Sequence, residues 1–310
     1  MEKKILVAVD GSINSYNSLR YLGQLFADLA DVHIHLLYVV STASLSVGMG
    51  WLCEHDRLLS LSPAERTRYS AAKRFMQEAV LQLGRRGIEA EQVSTKIMLA
   101  KAGVAADIVS EARSGLYDAL LIGRRGLTTI EELILGSVSA AVAQSCYSMP
   151  VWVVDGKVDS RKFLLPVDKS LNSLKAADHL GFILKNNPYA QINLVHLESI
   201  IGGDTDPDFV VLEEQWGKAW CDEHLHGADA VFHGPEQMLI DRGISAEHIF
   251  RELEIRSLTP HAQIVKLSSK GHYGTVVIGR RAKGLKKGFF KGVSDKVLEL
   301  ASHIAIWVIG

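Results

Sequence analysis

Lys4-Ile5-Leu6-Val7-Ala8-Val9-Asp10-Gly11-Ser12 opens the chain, and Lys162-Phe163-Leu164-Leu165-Pro166-Val167-Asp168-Lys169-Ser170 repeats its plan: an apolar run, an Asp, and a Ser two residues on. A second echo lies further along. Ala119-Leu120-Leu121-Ile122-Gly123-Arg124-Arg125-Gly126 returns as Thr275-Val276-Val277-Ile278-Gly279-Arg280-Arg281-Ala282. The Asp residues are 158 positions apart and the glycines 156, so two separated places give nearly one offset, the mark of an internal duplication.

The apolar runs lack polar alternation, as expected of strands covered by helices on both faces, and longer segments of helical period separate them. Strands then fall at about 4–10, 32–40, 91–98, 118–123 and 150–154, with helices at about 14–29, 63–86, 103–115 and 137–147. The second copy gives strands at about 162–168, 191–197, 248–255, 274–279 and 304–309, and helices at about 171–186, 208–242, 258–270 and 292–302. This is the pattern of βαβ units and a parallel sheet. The expected domains are 1–155 and 161–310, joined by the polar, glycine-containing Asp155-Gly156-Lys157-Val158-Asp159-Ser160.

Composition narrows the function. The chain has 310 residues, 47% hydrophobic and 22% charged, which fits two globular cores and excludes a disordered or low-complexity chain. Its 34 Lys and Arg against 35 Asp and Glu argue against general nucleic-acid binding, which needs a basic surface. Cys53, Cys146 and Cys221 stand far apart with no CxxC pair, which fits a reducing compartment. No segment approaches the roughly 20 apolar residues of a membrane span, so a soluble, cytoplasmic protein is expected.

Ligands of open parallel sheets sit beyond the carboxyl ends of the strands, where the strand order reverses. Those ends here carry Asp10-Gly11-Ser12, Tyr38-Val39-Val40 and Gly123-Arg124-Arg125-Gly126, followed by Gly136-Ser137-Val138-Ser139 at the start of a helix. Glycines permit close backbone approach, the free N–H groups of a helix N-terminus favour phosphate, and Ser137 and Ser139 add hydroxyls. Such chemistry suits a nucleotide. The bland reading of the same residues is a tight turn and a helix cap.

Gly123, Gly126, Gly136 and Ser137 match in full the G-x2-G-x9-G-[ST] pattern of the ATP-binding subgroup of the universal stress protein family, which the sequence resembles here. The opening KILVAVDGS, the Leu36 to Val40 strand and the Ser148 to Val154 ending are also similar to the family, so both halves look like tandem universal stress protein domains. The resemblance implies two Rossmann-like α/β domains of the adenine nucleotide alpha hydrolase-like type, each a five-stranded parallel sheet with helices on both faces. It implies ATP with Mg²⁺ or Mn²⁺ as ligand. Asp10 and Val39 would hold the adenine and ribose side, Gly123 and Gly126 would let the backbone wrap the ribose and phosphates, and Gly136, Ser137, Val138 and Ser139 would bind the phosphate chain. Arg124 and Arg125, inside the motif, could add charge there. Family members dimerise through the last strand, which implies an intrachain pseudo-dimer of the two domains and leaves a homodimer open.

The second copy departs from the pattern: Gly279 and Gly292 keep their spacing, but Ala282 replaces the second glycine, Val293 the hydroxyl residue, and Lys169 the Gly after the Asp. Arg280, Arg281, Lys283, Lys286, Lys287 and Lys291 with Phe289 and Phe290 form a basic loop suited to an anion or to plain solvation. Cys221, Asp222, His224 and His226 lie in the expected long helix, where Asp222 and His226 would share a face but lack a third metal ligand. Trp216 and Trp220 on that helix are expected to pack on the core or the other copy, and His33 and His35 to be packed strand residues. Residues 41–61 are too long for an ordinary βα loop and form a candidate lid or a packing loop. No GxSxG, HExxH or P-loop pattern supplies a nucleophile or base. The function expected is a nucleotide-responsive stress regulator; a nucleotide-free scaffold and an enzyme with slow ATP hydrolysis remain the alternatives.

Overall fold

Ile5, Leu6 and Val7 are each wholly buried in β1 (Lys3–Val9), so both sides of this strand are covered. The computed structural model describes residues 2–42, 61–126, 135–147, 149–199, 208–227, 229–252, 255–280 and 292–310. The chain divides into two compact units, Met1–Asp155 and Gly156–Gly310.

In the first unit β1 is followed by α1 (Ile13–Phe26), β2 (Val32–Val40), α2 (Pro63–Gly84), β3 (Val93–Leu99), α3 (Val104–Ser114), β4 (Ala119–Gly123), α4 (Ser137–Ser145) and β5 (Val151–Val154). The strands pair in parallel in the order β3-β2-β1-β4-β5. Right-handed crossovers put α1 and α2 on one face and α3 and α4 on the other, and the helices pack in those pairs. The strand order reverses between β1 and β4, which is where a ligand of such a sheet binds. Trp152 of β5, fully buried, stacks on Phe26 of α1 with centroids 6.5 Å apart. The helix starts are local chemistry. Ser12 caps α1 by accepting the Ser15 N–H, and Ser62 forms a reciprocal capping box with Glu65 ahead of Pro63 in α2.

The second unit runs β6 (Lys162–Val167), α5 (Leu171–Leu184), β7 (Gln191–Ser199), α6 (Phe209–Trp216), α7 (Lys218–His224), α8 (Ala230–Asp241), β8 (Ile249–Arg251), β9 (Ile255–Ser257), α9 (Pro260–Lys270), β10 (Thr275–Gly279), α10 (Val293–Leu300) and β11 (Ala305–Ile309). Its parallel order is β11-β10-β6-β7-β8, with β9 also pairing with β7. The α/β fold expected of both halves is present.

Three sequence expectations need correction. The single helix at 208–242 is three helices. Gly217, at φ +85°, ends α6 and caps α7, which stops at the Leu225 cap before α8 begins at Ala230. The third strand expected of this half, at 248–255, is split into β8 and β9. The junction after β5 is not a free linker: Asp155 and Val158 are 1% and 2% exposed, and Asp155 is ion-paired. Among the described residues no helix is long and apolar enough to cross a membrane.

Candidate functional site

Asp10 leaves β1 in a closed hydrogen-bonded turn. Its Oδ1 accepts from the Ser12 N–H (2.9 Å) and the Ser15 hydroxyl (2.8 Å), while its own N–H donates to Ser15 Oγ (2.9 Å). Gly11 within this turn has φ +79°, a conformation side chains disfavour. The Tyr38 hydroxyl of β2 donates to the Asp10 carbonyl at 2.8 Å; burial, then the Asp10 charge, raises its pKa, so it remains a donor. Val9 pairs with Tyr38, which sets Val39, 8% exposed, beside Asp10 at the same end of the sheet.

The loop after β4 meets this turn. A Cβ placed on Gly126 would lie 2.6 Å from Asp10 Oδ2, so this carboxylate oxygen sits against the bare glycine backbone. Gly123 has a different reason to be glycine: its Cβ would stand 2.9 Å from that of Asn14 on α1. Asn14 Nδ2 donates to the Arg125 carbonyl at 3.1 Å and locks the loop to the helix. The Gly136 N–H donates to the Arg124 carbonyl (2.9 Å), and Ser139 Oγ donates to the Gly123 carbonyl (2.7 Å). Asp10, Gly123, Gly126, Gly136 and Ser139 are thus joined in one network at the carboxyl edge.

Gly136 caps α4, whose first turn carries no acidic residue. Ser137 and Val138 are exposed there, whereas Ser139 is 6% exposed and already engaged with Gly123. The two arginines do not line the mouth as expected. Arg124 is 1% exposed, and Arg125 Nη2 pairs with Asp155 Oδ1 at 2.6 Å. Asn14 and Asp155 were missed by the sequence reading. A signal for Asn14 existed, since Asp-x-Ser-x-Asn-Ser occurs at both Asp10 and Asp168.

The second unit repeats the turn: Asp168 Oδ1 accepts the Ser170 N–H (2.9 Å), and Ser173 Oγ accepts the Asp168 N–H (3.1 Å). A Cβ on Gly279 would again collide with Asn172. Gly292 caps α10 as Gly136 caps α4, but here Arg280, after the strand, is paired to Asp295 at 2.8 Å. Ala282 and the basic residues 281–291 lie outside the described residues, as do residues 43–60 of the candidate lid.

The metal reading fares poorly. His226 lies past the end of α7, pairs with Asp222 at 3.5 Å and stacks on Phe209 at 4.7 Å. Among the described residues no group of three His, Cys, Asp or Glu could hold a metal. Trp216 and Trp220 pack against the cluster of Leu174, Leu212 and Cys221 in their own unit. His33 and His35 both reach the Ser94 hydroxyl, at 3.3 and 2.7 Å.

The universal stress protein family model matches residues 1–155, half of the chain and the half that holds this network. The chain belongs to the universal stress protein family. Universal stress protein YxiE of Bacillus subtilis is 29% identical over 160 residues, covering 50% of this chain and 99% of its own. A universal stress protein structure from Archaeoglobus fulgidus DSM 4304 superposes with a TM-score of 0.63 at 19% identity, over 99% of this chain and 97% of that one. A protein of unknown function from Pseudomonas aeruginosa PAO1 follows at TM-score 0.56 and 16% identity, over 99% and 92%. At those identities the two structures speak for the fold alone. This universal stress protein therefore carries two halves of the family's fold.

Proposed function

We propose that the first unit binds ATP as its Mg²⁺ or Mn²⁺ complex, and that occupancy of this site regulates which surface the protein offers in a stress response. The observation that carries this reading is the meeting of three loops at the strand-order reversal, with the Asp10 carboxylate against Gly126 and an acid-free helix N-terminus beyond. The chemistry divides naturally. A carboxylate repels phosphate but accepts from hydroxyls, so Asp10, with Val39 beside it, belongs to the ribose and adenine side. The first-turn N–H groups of α4 have no intrahelical partner and, with the exposed Ser137 hydroxyl, suit the phosphate chain. The Gly136 N–H is not among these donors, since Arg124 O takes it. Gly123, Gly126, Gly136 and Ser139 shape the loop, and Val138 presents backbone. Mg²⁺ or Mn²⁺ carried with the ATP would offset part of the phosphate charge.

Regulation by such a site is binding-linked: ATP shifts an equilibrium only by its differential affinity for two states. The test is calorimetric titration of the full chain with ATP and Mg²⁺, beside Gly126→Val. Binding by the parent chain, and its loss in a variant that keeps the parent's circular dichroism, supports the site. Equal affinity in both removes the assignment, and no binding by the parent favours a nucleotide-free scaffold.

A further inference from the structure

The two units treat the helix after their fourth strand differently. The C-terminal caps Cys146 and Ala301, the buried pairs Val142 with Val297 and Ala143 with Leu298, and the buried serines Ser139 and Ser294 all align α4 with α10 at an offset of 155 residues. On that buried face Asp295 stands where the first unit has Ala140, though it is the third residue after its capping glycine and Ala140 the fourth. It is an acid in the first turn of α10, where α4 has none.

Its carboxylate is held at both ends of an anion's natural environment. Oδ1 accepts from Arg280 Nη2 at 2.8 Å, and Arg280, the residue after Gly279, is only 6% exposed in its side chain. Oδ2 lies 3.8 Å from where a Cβ on the capping Gly292 would be, so the group folds back over the helix start. At 35% exposure it still faces solvent. A helix N-terminus and a buried guanidinium are two attractions a ligand phosphate would use. An incoming phosphate would meet a like charge already seated there.

We infer that Asp295 is the second unit's built-in anion, occupying the place of a ligand phosphate and confining phosphate-bearing ligands to the first unit; this rests on the ATP reading of that unit. Asp295 thereby sets specificity between two halves of one chain.

Two full-chain experiments test this. Transplanting the acid as Ala140→Asp should weaken ATP by about tenfold or more, while the isosteric neutral Ala140→Asn stays within about threefold of the parent. In the second unit, Asp295→Ala should melt at lower temperature than the parent, and inorganic tripolyphosphate should raise its melting point more than it raises the parent's. Asp295→Asn keeps the side-chain volume and serves if the alanine variant does not fold. Parent-like ATP affinity in Ala140→Asp, or no extra tripolyphosphate response in either Asp295 variant, overturns the inference. Should the parent chain bind no ATP, the proposed function falls, and the tripolyphosphate response alone decides the role of Asp295.

Discussion

Gly123→Ala separates the packing reason for that glycine from any ligand reason. The added Cβ would lie 2.9 Å from Asn14 Cβ and 3.5 Å from the Arg125 carbonyl oxygen. Asn14 Cβ cannot rotate away, being fixed to the backbone of α1, so the helix or the loop must move by several tenths of an ångström. Overpacking of this kind costs about 1–3 kcal/mol. Displacing the loop also strains the Asn14 Nδ2 to Arg125 carbonyl bond, worth about 1 kcal/mol net. The expected loss is therefore about 2–3 kcal/mol without ATP, read from urea unfolding of the ligand-free protein. The companion Asn14→Gly removes the obstructing atom, so in that background Gly123→Ala should cost at least about 1 kcal/mol less, a coupling expected of groups in contact. A cost below about 0.5 kcal/mol, or equal costs in both backgrounds, would refute the packing argument.

The remaining predictions concern acid, a buried ion pair and a cap. Burial pushes the His179 pKa down to about 3, with its ring edge-on to Trp307 at 5.9 Å. The unfolded chain takes up that proton below about pH 6.5 and the native state does not, so stability should be full above that pH and fall as pH drops toward 3, by up to about 2 kcal/mol at pH 5. His179→Leu should flatten this share of the slope; an unchanged pH dependence of the urea midpoint would contradict it. Asp155→Asn leaves Arg125, 16% exposed, without its carboxylate and should cost about 1–3 kcal/mol, most of it recovered in the double variant Arg125→Met/Asp155→Leu. Ser62→Ala removes the acceptor for the Glu65 N–H and should cost about 1 kcal/mol, visible as faster amide exchange in the first turn of α2.

The fold was readable because its signals are local. Ile5 to Val9 has no polar alternation, Ser12 and Ser62 start helices, and Gly103 and Gly136 stand at helix caps. Gly217 and Gly227 were equally visible, but a helical hydrophobic pattern continued across them, and only φ values of +85° and +114° reveal the breaks. The site was readable as spacing and not as mechanics. Gly123 is glycine because Asn14, 109 residues earlier, packs onto it, and Arg125 is drawn aside by Asp155, 30 residues later; such pairings exist only once the sheet is assembled. The place of Asp295 relative to α4 was not legible, because Gly-to-Gly spacing aligned the two motifs at 156 residues, while the buried faces of their last helices align at 155.

Mass spectrometry of ligand retained by the gently purified full chain, with calorimetric counting of sites for ATP and Mg²⁺, tests the central claim most directly. One ATP per chain, lost in Gly126→Val, is the predicted result. Failure of the parent chain to retain or titrate any adenine nucleotide would contradict it.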